Sequence, residues 1–193
     1  MARIAVFAYG SLVAPESAAQ TLGPRPMPPL VASLAGWRRR WSQARDNLAV
    51  EKTFALADGE APRWILGLNI ESISDRDGSS INGALIEVTE AELERLDLRE
   101  MRYDRVDVTA QVESEHDFES VLAYTAKPAH FAPRPPAGAV VLANYLAAVE
   151  DAFERLAPGQ LESFRASTGP PPVDVVTATL VRDRIPLGNP RRW

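Results

Sequence analysis

Val6-Phe7-Ala8-Tyr9-Gly10-Ser11-Leu12 is an apolar run that enters a glycine turn, and its reading decides how the rest of the chain is understood. From Ile4 to Ala8 no polar residue separates one face from the other, which predicts a strand buried on both faces. Gly10 has no Cβ, so a ligand can approach the backbone closely there, and Ser11 adds a hydroxyl at the same point. Pro15 opens a helix predicted to run to Leu22, with Gly23 as its stop. Strand, glycine turn and helix start together present backbone N–H groups that suit a carboxylate, a phosphate or an oxyanion.

The 193 residues around this turn are enough for one well-cored domain, expected to span residues 1–193 with a basic, proline-containing tail from 186 at its periphery. Apolar residues at 46% and charged residues at 24% are those of a globular protein. The net charge of -5 argues against nucleic acid or an anionic membrane as a partner. Cysteine is absent, which excludes disulfides, thiol catalysis and cysteine metal sites, and fits a reducing, cytoplasmic location. His116 and His130 are the only histidines, so a histidine-rich metal centre is excluded as well. No apolar run reaches the length of a membrane span. The N-terminal run lacks a cleavage site, and it is read as a core strand, not as a signal peptide. Nothing in the sequence indicates an oligomeric state.

Beyond the proline-rich connector Gly23–Pro29, a strand is predicted over Val31–Ser42, containing Gly36-Trp37-Arg38-Arg39-Arg40-Trp41. Its arginines either snorkel and pair with carboxylates or form a cationic wall beside an anionic ligand. Further strands are predicted over Ala49–Leu56, Trp64–Ile70, Asn82–Val88, Arg102–Val112, Phe118–Ala126 and Val173–Val181, with a polar loop over Asp75–Ser80. His116 falls in a charged hairpin tip and His130 in a proline-rich connector, neither a persuasive catalytic position. Val140–Leu156 repeats its apolar residues at helical spacing, and a short helix is expected from Gln160 to Ala166. There is no internal repeat and no glycine-rich phosphate loop.

The best-marked local structure is the helix Glu90–Arg99. Thr89 and Glu92 form a capping box, and Val88 and Leu93 stand at the positions of a hydrophobic staple. Its inward stripe is Leu93 and Leu96, and the next position on that stripe is Glu100. A carboxylate at a core-facing helix exit is unusual unless it is paired or functional. Arg99, Arg102 and Arg105 are the candidate partners; an ion pair with one of them would hold the Glu100 pKa low.

Two pieces then stand in order: Tyr9-Gly10-Ser11-Leu12 after the first strand, and Leu96-Asp97-Leu98-Arg99-Glu100-x-x-Tyr103 after a short helix. Together they resemble the gamma-glutamylcyclotransferase superfamily, with its ChaC-type glutathione-degrading and AIG2-like branches. The resemblance covers Ile4 to Leu156 in order and spacing, although Met101-Arg102 replace the glycine common between the family's glutamate and tyrosine. It implies an α+β fold, a small mixed β-barrel with flanking helices. It also implies a cofactor-independent, metal-free reaction on a gamma-glutamyl compound, in which the substrate's α-amine attacks its own γ-carbonyl to release 5-oxoproline and an amine or amino acid. By the same resemblance Glu100 is the proton carrier, and Tyr9, Gly10, Ser11 and Leu12 hold the glutamyl group. Tyr103 and Tyr124 join them as substrate-binding candidates, although as residues both suit a wall better than proton transfer. A non-catalytic protein of the same fold that binds a small carboxylate is the alternative.

Overall fold

The computed structural model describes residues 3–25, 28–73 and 78–185. Part of the proline connector, half of the polar loop and the tail from 186 therefore lie outside the described residues. The elements in chain order are β1 (Ile4–Ala8), α1 (Pro15–Leu22), β2 (Leu30–Ala35), β3 (Trp37–Asp46), β4 (Lys52–Ala55), β5 (Trp64–Ser72) and β6 (Ser80–Val88). They continue with α2 (Glu90–Arg99), β7 (Tyr103–Asp107), β8 (Val112–Glu113), β9 (Ser120–Ala126) and β10 (Ala139–Leu142). The described chain closes with α3 (Ala143–Leu156), α4 (Gln160–Thr168), β11 (Val175–Val176) and β12 (Thr179–Asp183).

β1 lies inside a six-stranded mixed sheet of order β7-β9-β1-β6-β2-β8, antiparallel to β6 and parallel to β9. Having neighbours on both edges and core on both faces explains why it is apolar throughout, and Ala5 to Ala8 are all buried. Where β6 passes β1, the Phe7 ring and the Ala8 carbonyl lie over Gly83. A Cβ at Gly83 would come within 2.4 Å of Ala8 O and 2.6 Å of Phe7 Cζ, so only glycine permits this approach.

A four-stranded sheet, β11-β10-β5-β3, and a two-stranded pair, β12-β4, complete the strands. Val31–Ser42 is not one strand but two, because Gly36 adopts a φ of 75° and turns β2 into β3. The main sheet curls towards the second, which makes a half-barrel flanked by helices, an α+β fold. Asn69 of β5 stitches the two together: its Oδ1 accepts from Ala126 N of β9 at 2.7 Å, and its amide donates to Ser42 Oγ at 3.2 Å.

Other sequence expectations shift for identifiable reasons. The helix predicted over Val140–Leu156 begins only at Ala143, because Ala139 to Leu142 pair with β5 and β11. The strand predicted over Arg102–Val112 is cut at Asp107 by a short 3-10 turn, Thr109–Gln111, and Asp107 Oδ1 accepts from Thr109 N at 2.9 Å. Val173–Val181 divides into β11 and β12, which join different sheets. The cationic wall does not form at Arg38–Arg40. Arg38 and Arg40 pair with Glu71, while Arg39, only 1% exposed, lies over the Phe153 and Phe164 rings at 5.0 and 4.7 Å. Its guanidinium also donates to Asn82 O and to Thr168 Oγ1, which ties α4 to β6.

α1 and α2 form over the predicted residues. Thr89 N donates to Glu92 Oε2 at 2.9 Å and Glu92 N donates back to Thr89 Oγ1 at 3.3 Å, closing the capping box. Leu93 and Leu96 are buried as the stripe requires, and Arg99 is buried too, at 4% exposure.

Candidate active site

A cavity of about 280 Å³ opens at the C-terminal end of β1. One side is the stretch from Phe7 to Leu12, and the facing side is β5 from Ile65 to Leu68. Arg99, Glu100, Arg102 and Tyr103 enter from the exit of α2 and the start of β7, and Tyr124 enters from β9. Gln43, Arg45, Lys52 and Phe54 close one end, and Leu142, Asn144 and Tyr145 supply the remaining wall. All seven residues singled out from the sequence, Tyr9, Gly10, Ser11, Leu12, Glu100, Tyr103 and Tyr124, thus line one space.

The turn is built by a 3-10 helix, Ser11–Val13, in which Val13 N donates to Gly10 O at 3.0 Å and Ala14 N to Ser11 O at 3.2 Å. The amides of Ser11 and Leu12 come before Val13 N, the first donor of the turn, so the 3-10 helix itself does not use them. At Gly10 an added methyl would meet Leu68 Cδ1 and the Tyr145 hydroxyl at 3.6 Å each, an ordinary van der Waals contact.

Glu100 follows the last residue of α2, and its amide donates to Leu96 O at 2.7 Å. Its side chain is 19% exposed, and Oε1 lies 3.2 Å from Arg99 Nε. Arg99 is itself anchored on α1, donating to Ser17 O at 2.6 Å, Thr21 Oγ1 at 3.2 Å and Ser17 Oγ at 2.8 Å. One guanidinium therefore fixes the carboxylate and joins α2 to α1. Arg102 and Arg105, the other expected partners, are engaged elsewhere, with Glu51 and Asp97. The ion pair lowers the Glu100 pKa but does not bring it below its ordinary value. Burial disfavours the charged carboxylate more than Arg99 and Arg102 favour it, and the pKa lies above the ordinary 4.5.

The tyrosine hydroxyls are committed to the wall. Tyr9 donates to Tyr124 O at 2.6 Å, Tyr103 to Leu68 O at 2.8 Å, and Tyr124 to Asp97 Oδ1 at 2.9 Å. Burial raises the pKa of each, so all three are neutral donors over the physiological range. Tyr145 was legible only as a core residue of a helical stripe. Its hydroxyl faces Gly10, its ring meets Trp41 edge-on at 6.2 Å, and burial pushes its pKa up to about 12. Arg45, Lys52 and Gln43 carried no sequence signal, because they come from two strands, β3 and β4, that belong to different sheets and meet only at the cavity. His116 and His130 do not line the cavity. Among the described residues no cluster of three or more His, Cys, Asp or Glu is placed to hold a metal ion, and no helix is long and apolar enough to cross a membrane.

The curled α+β half-barrel thus holds a pocket in which one carboxylate, Glu100, shares the space with the Tyr9–Leu12 turn. The chain belongs to the gamma-glutamyl cyclotransferase, AIG2-like family, whose sequence model matches residues 6–139. Solved structures share the fold at low identity. One described as a gamma-glutamyl cyclotransferase superposes with a TM-score of 0.58 at 15% identity, over 88% of this chain and 89% of that one. An uncharacterized human protein gives 0.56 at 16% identity, over 89% and 90% of the two chains. A yeast gamma-glutamyl cyclotransferase described as specific to glutathione gives 0.52 at 15% identity, over 88% and 98%. No curated protein sequence matches the chain significantly.

Proposed function

We propose that the chain is a cyclotransferase that converts a gamma-glutamyl compound into 5-oxoproline and a free amine or amino acid. The observation that carries this reading is the Glu100 carboxyl, with its pKa raised by burial, in one cavity with the Tyr9–Leu12 turn. The substrate's α-amine attacks its own γ-carbonyl, and Glu100 takes the amine proton as the new C–N bond closes the five-membered ring. The amides of the Gly10–Leu12 turn hold the developing oxyanion or the α-carboxylate. Collapse of the tetrahedral intermediate breaks the original amide bond, and Glu100 returns the proton to the departing nitrogen. A single carboxylate suffices because the base of the first step is the acid of the second. Nucleophile and electrophile belong to one molecule, so much of the acceleration comes from holding the glutamyl chain curled, which is the work of Tyr9–Leu12, Tyr103 and Tyr124. Arg99 acts through Glu100, as a positioning residue.

The Arg99–Glu100 ion pair also favours a second reading, a binding protein for small carboxylates without turnover. Product identity separates the two. Incubation with gamma-glutamyl amino acids, glutathione and gamma-glutamyl amines in ¹⁸O-labelled water is expected to yield unlabelled 5-oxoproline from at least one compound. Labelled glutamate in its place would mean hydrolysis, and binding without any product would establish the second reading.

A further inference from the structure

The cavity extends beyond the residues that the cyclisation uses. Gly10 stands against Leu68 of β5, whereas Arg45 is paired in register with Ile65, three residues further along that strand, or about 10 Å away. Arg45 lines this far end, is only 9% exposed, and lies 5.2 Å from the centre of the Phe54 ring. Its hydrogen bonds go to neutral oxygens, Asn47 Oδ1 and Lys52 O, both at 3.3 Å from Nη2, and Nε has no hydrogen-bond partner. Among the described residues no carboxylate pairs with it; the nearby Glu51 gives both oxygens to Arg102, at 3.0 and 2.8 Å. Burial and Arg102 lower the Arg45 pKa to about 10 against the attraction of the nearby Glu51 charge, which leaves the guanidinium charged at neutral pH. A buried cation with an unused donor is costly, and its planar fork matches the geometry of a carboxylate.

We infer that Arg45 binds a carboxylate carried by the leaving group, so that the substrates are gamma-glutamyl amino acids or peptides and not gamma-glutamyl amines without one. The inference rests on the cyclotransferase reading and adds the substrate class to it. With the glutamyl unit at the Gly10 end, one or two further residues, each extending about 3.5 Å, bring a terminal carboxylate towards the guanidinium. Phe54, Ile65 and Leu142 then flank the leaving group's side chain.

The test compares gamma-glutamylalanine with gamma-glutamylethylamine, which differ by that carboxylate, using the wild type, Arg45→Lys and Arg45→Gln. For the wild type, kcat/KM for 5-oxoproline release is expected to favour gamma-glutamylalanine by about ten- to a hundredfold, mostly through KM, as a charge-assisted contact implies. Arg45→Gln is expected to bring that ratio within about threefold, and Arg45→Lys to restore part of it. Equal use of both compounds by the wild type, or a ratio unchanged in Arg45→Gln, overturns the Arg45 assignment and leaves the cyclotransferase intact. The wild-type comparison keeps its force even if the variants fold poorly. Absence of product from both compounds and from glutathione overturns the cyclotransferase reading and the assignment with it.

Discussion

Burial and Arg99 act on the Glu100 carboxyl in opposite directions, and burial prevails. A carboxyl whose folded pKa exceeds its unfolded value contributes stability that is fully present below the unfolded value, near 4.5, and is lost as the pH rises through the folded one. Ionised Glu100 is therefore a cost to the fold at neutral pH. Glu100→Gln, which mimics the neutral acid, is expected to melt at or above the wild-type temperature at pH 7, with the difference closing as the pH falls below 4.5. A clearly lower melting temperature at pH 7 would instead make the Arg99 pair structural. Glu100 was legible in the sequence because a charge on an apolar stripe contradicts its surroundings, and that contradiction needs only local spacing to detect. Arg45 contradicts nothing in its own segment. Its character comes from Ile65 and Phe54 on other strands and from Arg102 in the turn after α2.

At the scale of elements, α1, α2 and β1 were legible to the residue because their ends are written locally, in Pro15 and Gly23, in Thr89 with Glu92, and in the polar turn after Ala8. The border between β10 and α3 was not, since Val140, Val141 and Leu142 suit helix and strand alike and their strand partners lie far away in sequence. The capping box sets where α2 begins, and α2 carries Glu100 at its exit. Thr89→Ala is expected to cost about 0.5–2 kcal/mol in urea unfolding. Gly83→Ala acts differently. Its methyl would meet Ala8 O and the Phe7 ring at impossible distances, so β1 must move. Overpacking of this kind costs about 1–3 kcal/mol, and because β1 delivers the turn, thermal melting and 5-oxoproline release are both expected to fall.

Across the whole molecule, two sheets have to curl towards one another for the turn, Glu100 and Arg45 to share a cavity. Asn69 holds part of that seam through Ala126 N, and Asn69→Ala leaves this donor without its acceptor. The expected destabilisation is about 1–3 kcal/mol, read from urea unfolding. Charge is also organised at this scale. The chain carries a net charge of -5, yet the cavity is lined by Arg45, Lys52, Arg99 and Arg102 against Glu100. Composition could not reveal that inversion, because it depends on which side chains the fold turns inward; it suits a substrate that carries carboxylates. The central claim is that Glu100 moves the protons of cyclisation. Its most direct test is the pH dependence of kcat/KM for 5-oxoproline release from gamma-glutamylalanine, measured for the wild type and Glu100→Gln. The wild type is predicted to gain activity through an apparent pKa above 4.5, and the variant to lose about a hundredfold or more together with that limb. Equal rates in the two proteins, or the same limb in both, would contradict the assignment of Glu100.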